Sequence, residues 1–132
     1  EMSASLVGSE MCIRDSIMFE LQEKLAYKEL MATRLYFNLG TYMGNNFQSC
    51  VITAQNALKN YPYSKYREEF MFLIIRAKYE LALVSVEEKL QGRYRDVVDE
   101  YYNYMNEYPE GNYVKQVTKF YDYASKRITD AY

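Results

Sequence analysis

Apolar residues recur at helical spacing in two stretches of this chain, offset by 47 residues. In the first, Phe47, Cys50, Val51, Ala54, Ala57, Leu58 and Tyr61 fall at i, i+3, i+4, i+7, i+10, i+11 and i+14. In the second, Tyr94, Val97, Val98, Tyr101, Tyr104, Met105 and Tyr108 occupy the same steps. Each set is one apolar stripe on an α-helix. Both stretches close with Tyr-Pro, at Pro62 and Pro109. The correspondence then continues through Tyr66/Tyr113, Phe70/Val117, Leu73/Phe120, Ile74/Tyr121 and Ala77/Ala124. A helix-turn-helix unit repeated in this way implies a solenoid, whose units bury their apolar faces by stacking on their neighbours.

The rest of the pattern predicts five helices. A long first helix spans about Ile17 to Met43, with Leu21, Leu25, Leu30, Leu35, Leu39 and Tyr42 recurring on one side of it and Gly44-Asn45-Asn46 breaking it. A second runs from about Asn46 to Asn60 and stops at Pro62, because the residue before a proline avoids the α region. Ser64 is placed to cap a third, with Glu68 and Glu69 near its positive end. That helix is expected to reach about Leu90, with Gly92 as its C′ residue. A fourth spans about Tyr94 to Glu107, and a fifth about Asn112 to Thr129. No segment alternates like a strand. The expected architecture is all-α, a tetratricopeptide-like right-handed solenoid of about five antiparallel helices. Its units lie at about 17–62 and 63–109, with a closing helix at 112–129.

Composition narrows the function classes. The 132 residues suit one domain with a real core. Sixteen Tyr and no Trp favour helix faces that are half packed and half wet, since Tyr joins an apolar body to a polar tip. A net charge of −2, with basic residues scattered, lacks the footprint of a nucleic-acid binder. The longest apolar run, Phe70 to Ile75, is far too short to span a bilayer. There is no His, hence neither the commonest general base nor the commonest metal ligand. Cys12 and Cys50 have no metal-ligand spacing, and Cys50 lies in the apolar stripe as a small hydrophobe without an activating base. The pairs Glu68/Glu69 and Glu87/Glu88 read as solvated charge. The expectation is a non-enzymatic chain with no cofactor and no metal.

The first sixteen residues stand apart. Leu6 to Ser16 resembles the one-frame translation of a transposase-type DNA sequencing adaptor over eleven residues, and its pattern does not continue into Ile17. Residues 1–16 are therefore expected to be a disordered tail outside the repeat domain at 17–132. On this reading Cys12 is no functional thiol. The gene product is also expected to extend further at its N-terminus. Setting the tail aside leaves 15 basic against 15 acidic residues.

Set against the tetratricopeptide pattern, the second unit offers Leu81, Val84 and Ser85, then Gly92, Tyr94, Tyr101 and Pro109. The first offers Phe47, Cys50, Ala57, Leu58 and Pro62. Asn38 and Tyr104 depart from it, standing where small residues are expected. Within that class Leu35–Tyr42 leading to Asn60-Tyr61-Pro62 resembles the late repeats of the BamD family of outer-membrane protein assembly factors. So do 63–69, Ser85–Lys89 with Arg93-Tyr94, and Asp99–Asn103, particularly in the form found in Bacteroidota-type bacteria. The resemblance covers residues 24–128. It implies a lipoprotein on the periplasmic face of the outer membrane, anchored through a lipid in the full-length protein. Its implied partners are the barrel-forming BamA-like subunit and other lipoproteins of the β-barrel assembly machine. A rival of a different class is a general periplasmic tetratricopeptide module in envelope or division coordination.

Helix A faces line the concave groove of tetratricopeptide stacks, which points to Leu35, Leu39, Tyr42, Tyr79, Val86 and Lys89 as a partly apolar partner-binding face. The plainer alternative is that these residues pack helix on helix. Tyr101, Tyr104 and Tyr108 share the core stripe of the fourth helix. Tyr102 falls off it and is the better contact candidate. Arg93 and Arg95 either meet an acidic partner or are solvated.

Overall fold

The computed structural model describes residues 2–128, with side chains from Ile13 onward. It contains five helices: α1 (Met2–Leu39), α2 (Asn46–Asn60), α3 (Arg67–Leu83), α4 (Glu87–Glu107) and α5 (Val114–Arg127). Each helix packs on the next, α3 also meets α1 and α5, and α2 and α4 do not approach one another. The arrangement is an all-α, solenoid-like stack in which α1, α3 and α5 form one layer and α2 and α4 the other.

The helix boundaries follow local chemistry. Gly40 ends α1: at φ +56° its N–H bonds the Tyr36 carbonyl at 3.1 Å, a left-handed C-terminal stop that glycine adopts without steric cost. A Cβ at Gly40 would also meet the Phe47 ring at 3.1 Å. The helix thus ends before the expected Gly44-Asn45-Asn46 break, and Tyr42 lies in the turn rather than on α1. Asn45 then caps α2, its side chain accepting the Gln48 N–H at 3.2 Å.

Three other expectations are corrected. α1 crosses Ile17 without interruption, so the helix lacks the expected break before Ile17. No proline interrupts that segment, and a helix nucleated by packing further along propagates at little cost. The side chains of Ile13 to Ser16 are exposed; the Cys12 side chain lies outside the described residues. α3 ends at Leu83 rather than Leu90, and α4 begins at Glu87, which puts Gly92 inside α4. Ser85 Oγ turns back to the Leu81 carbonyl and receives Arg93, and Val86 is extended. Glu87 and Glu88 then favour a helix start through the dipole. α5 ends at Arg127; Thr129 lies outside the described residues.

The repeat is visible in the backbone. Tyr61 and Tyr108 end α2 and α4 at φ/ψ −129°/62° and −132°/64°. The turns after them bond alike: Ser64 N–H to the Tyr61 carbonyl at 3.2 Å, Gly111 N–H to the Tyr108 carbonyl at 3.1 Å. Paired positions are buried together at Phe47/Tyr94, Cys50/Val97, Ala57/Tyr104, Phe70/Val117 and Ala77/Ala124, whereas Ala54 and Leu58 match only half-buried or equally half-buried partners in Tyr101 and Met105.

α3 explains the longest apolar run. It touches all four other helices, so Phe70 to Ile75 are all buried, as a helix surrounded by protein requires. Phe70, Leu73, Ile74 and Ala77 join the core shared with α1 and α2, and Met71, Phe72, Ile75 and Ala82 the core shared with α4 and α5.

Tyr104 stands where the first unit has Ala57, yet it is fully buried. Gly111, opposite Ser64 in the repeat, makes the room: a Cβ there would collide with the Tyr104 hydroxyl and with Glu68. The larger residue on the helix and the missing side chain in the turn compensate one another.

Candidate functional site

The residues expected to bind a partner do not converge on one face. Tyr79 stacks on Phe120 at 4.6 Å and meets Tyr123 edge-on at 5.3 Å, so it belongs to the α3–α5 interface. Burial raises its pKa. Val86 and Lys89 are exposed, but at the start of α4 rather than on a helix A face, because α3 stops at Leu83. Tyr42 is exposed in the α1–α2 turn, and Leu35 and Leu39 are exposed on α1. Tyr102 is 51% exposed, and its hydroxyl lies 3.1 Å from that of Tyr121. Tyr121 in turn stacks on Tyr101 at 4.3 Å.

Two surfaces replace the expected groove. The first is the outward side of α1. Ala26, Leu30 and Thr33 are buried against α2 and α3, while Ile17, Leu21, Leu25, Leu35 and Leu39 are between 38% and 57% exposed. Leu30 lies nine residues from Leu21, about two and a half turns, so the two point to opposite sides. The expected single leucine stripe is two stripes, one facing inward and one outward. The second surface is a cleft between α2 and α4, floored by α3. It comprises two hollows of about 350 and 360 Å³ that share Gln55. Its lining combines apolar Val51 and Leu58 of α2 and Met71 and Ile74 of α3 with the charged Arg67, Lys78, Arg93, Asp96, Glu100 and Glu107.

Three ion pairs join the helices among the described residues. Lys78 bonds Glu100 at 2.8 Å, and Arg67 grips both oxygens of Glu107 at 2.7 and 2.8 Å. That guanidinium holds the Glu107 carboxyl below its ordinary pKa. Arg34 pairs with Glu69. Glu68 accepts the Tyr104 hydroxyl at 2.8 Å and the Asn112 N–H at 2.7 Å. Glu68 and Glu69 are therefore structural, not the solvated charge expected from sequence. Arg93 is likewise held by Ser85. Burial pushes the Cys50 thiol up to about 12, so it remains protonated.

Among the described residues no three His, Cys, Asp or Glu side chains converge as metal ligands, and no helix is long and apolar enough to cross a membrane. No protein-family model and no curated protein sequence matches the chain.

Proposed function

We propose that this chain is a non-enzymatic docking scaffold of the BamD kind, a repeat module of the outer-membrane β-barrel assembly machine. The observation that supports a scaffold is the contrast between the two ends of the stack. α5 turns Lys115, Gln116, Lys119, Asp122 and Lys126 outward, a polar face. α1 instead leaves Ile17, Leu21, Leu25, Leu35 and Leu39 exposed, together with Ile13, Met18, Phe19 and Tyr27, and contiguous apolar surface of this kind marks protein contact.

The choice of machine rests on the sequence resemblance over residues 24–128, the region that forms the stack. On this reading the protein sits at the periplasmic face of the outer membrane, held by a lipid anchor of the full-length protein. Its partners are the BamA-like barrel subunit and the other lipoproteins of the machine; nucleic acid is not among them. The test is co-purification: the tagged full-length gene product is expected to recover the barrel subunit from gently solubilised outer membranes. Recovery of no assembly subunit rejects the BamD assignment.

A further inference from the structure

Three tyrosines meet where α4 packs on α5. Tyr121 of α5 stacks on Tyr101 of α4, the ring centroids 4.3 Å apart and the planes 17° from parallel. Tyr102, the next residue of α4, meets Tyr121 edge-on at 5.7 Å, and the two hydroxyls lie 3.1 Å apart. Tyr102 is exposed and Tyr121 half-buried. The stack on Tyr101 holds the Tyr121 ring in place, whereas the exposed Tyr102 ring can turn about its side-chain torsions. A phenol that loses its O–H hydrogen atom shares the unpaired electron between the oxygen and the ring carbons beside it. Hydroxyls in contact therefore bring together the Cε carbons at which two such radicals couple.

We propose that Tyr102 and Tyr121 form an oxidative cross-linking site, closed to a dityrosine by hydrogen peroxide acting through a haem peroxidase. Peroxide takes up two electrons and two protons to give two waters. Each phenol supplies one of each as its O–H bond breaks, and the two radicals join in a new Cε–Cε bond. Each coupled carbon then passes its proton to the oxygen of its own ring, which restores both hydroxyls and both aromatic rings. The protein loses two hydrogen atoms in all. Other tyrosine rings touch in different settings. Tyr94 meets Tyr123 and Tyr104 meets Tyr108, but Tyr94 and Tyr104 are buried. Tyr27 and Tyr66, 5.6 Å apart, are a rival pair that peptide mapping separates. The link ties α4 to α5 across 19 residues of chain, and such a cross-link stabilises by constraining the unfolded chain, as a disulfide does. The inference stands independently of the scaffold reading.

The test treats the full chain with a haem peroxidase and hydrogen peroxide, dilute enough to disfavour contact between molecules. The expected product is a monomer lighter by two hydrogen atoms that shows the blue fluorescence of a biphenol. Proteolysis and tandem mass spectrometry are expected to recover a peptide pair joined at Tyr102 and Tyr121. Tyr102→Phe is expected to lose the monomeric fluorescence with unchanged circular dichroism, since the position is exposed. Tyr63→Phe, at a position 88% exposed, is expected to keep it. The linked protein is expected to unfold at higher urea than untreated protein, a gain that treated Tyr102→Phe does not show. Links that join Tyr121 to Tyr101, or Tyr27 to Tyr66, in place of this pair overturn the proposal. So does a product found only as a concentration-dependent dimer, fluorescence that survives Tyr102→Phe, or a linked protein no more resistant to urea.

Discussion

Removing one oxygen, in Tyr104→Phe, tests how the second repeat accommodates its large residue. The Tyr104 hydroxyl is fully buried. It donates to Glu68 at 2.8 Å and accepts the Tyr113 N–H at 3.2 Å. Phenylalanine keeps the ring packing against α5 and deletes both bonds. A hydrogen bond to a charged group is worth about 1.5–3 kcal/mol, and the stranded Tyr113 N–H adds to the loss. Because Glu68 is only half-buried and can recruit water, the expected cost is about 2 kcal/mol. Urea unfolding followed by circular dichroism should show it as a lower midpoint at unchanged slope. Thermal unfolding should show a drop of roughly 4–12 °C. Glu68→Gln in the same background should couple to Tyr104→Phe by about 1 kcal/mol, since both act on one bond. A Tyr104→Phe protein within about 0.5 kcal/mol of wild type, or no measurable coupling, would refute the network.

Two further changes exploit the repeat. Gly111→Ser imports the first unit's residue into the second turn, where its Cβ collides with Tyr104 and Glu68. A loss of about 1–3 kcal/mol is expected, partly relieved by Tyr104→Ala, so that unfolding of the double variant should fall short of the sum of the singles. Cys50→Val imports the counterpart Val97 and removes a thiol whose folded pKa lies at about 12 against an ordinary 9.0. A raised folded pKa stabilises fully below pH 9 and loses that contribution as pH rises toward 12. Wild type should therefore lose about 1.4 kcal/mol per pH unit in that window relative to the variant, and parallel alkaline unfolding curves would contradict it.

The repeat was legible because apolar spacing and the Tyr-Pro stops survive in both units, and the backbone at Tyr61 and Tyr108 confirms that they mean the same turn. The break between α3 and α4 was not legible. No glycine or proline marks Val84-Ser85-Val86, and its cause is a serine returning to Leu81 together with an arginine that arrives from the next helix. The acidic pair Glu87-Glu88 was the available local signal for a helix start. Gly92 outweighed it in the reading, although glycine inside a helix costs only about 1 kcal/mol. The side of α1 that packs was not legible for a related reason: Leu30 falls in the same run of leucines as Leu21, Leu25, Leu35 and Leu39, yet counting turns places it on the opposite side of α1. Tyr79 illustrates a limit of single-helix reasoning, since only the arrival of Phe120 and Tyr123 from α5 decides that it is packed. The roles of Glu68 and Gly111 likewise depend on Tyr104 lying across the turn.

The scaffold assignment is tested most directly by reciprocal capture from outer membranes solubilised under conditions that keep the assembly machine whole. A tag on the barrel subunit should recover this protein, and a tag on the full-length gene product should recover the barrel subunit, in comparable amounts. Recovery of the intact machine without this protein would contradict the account.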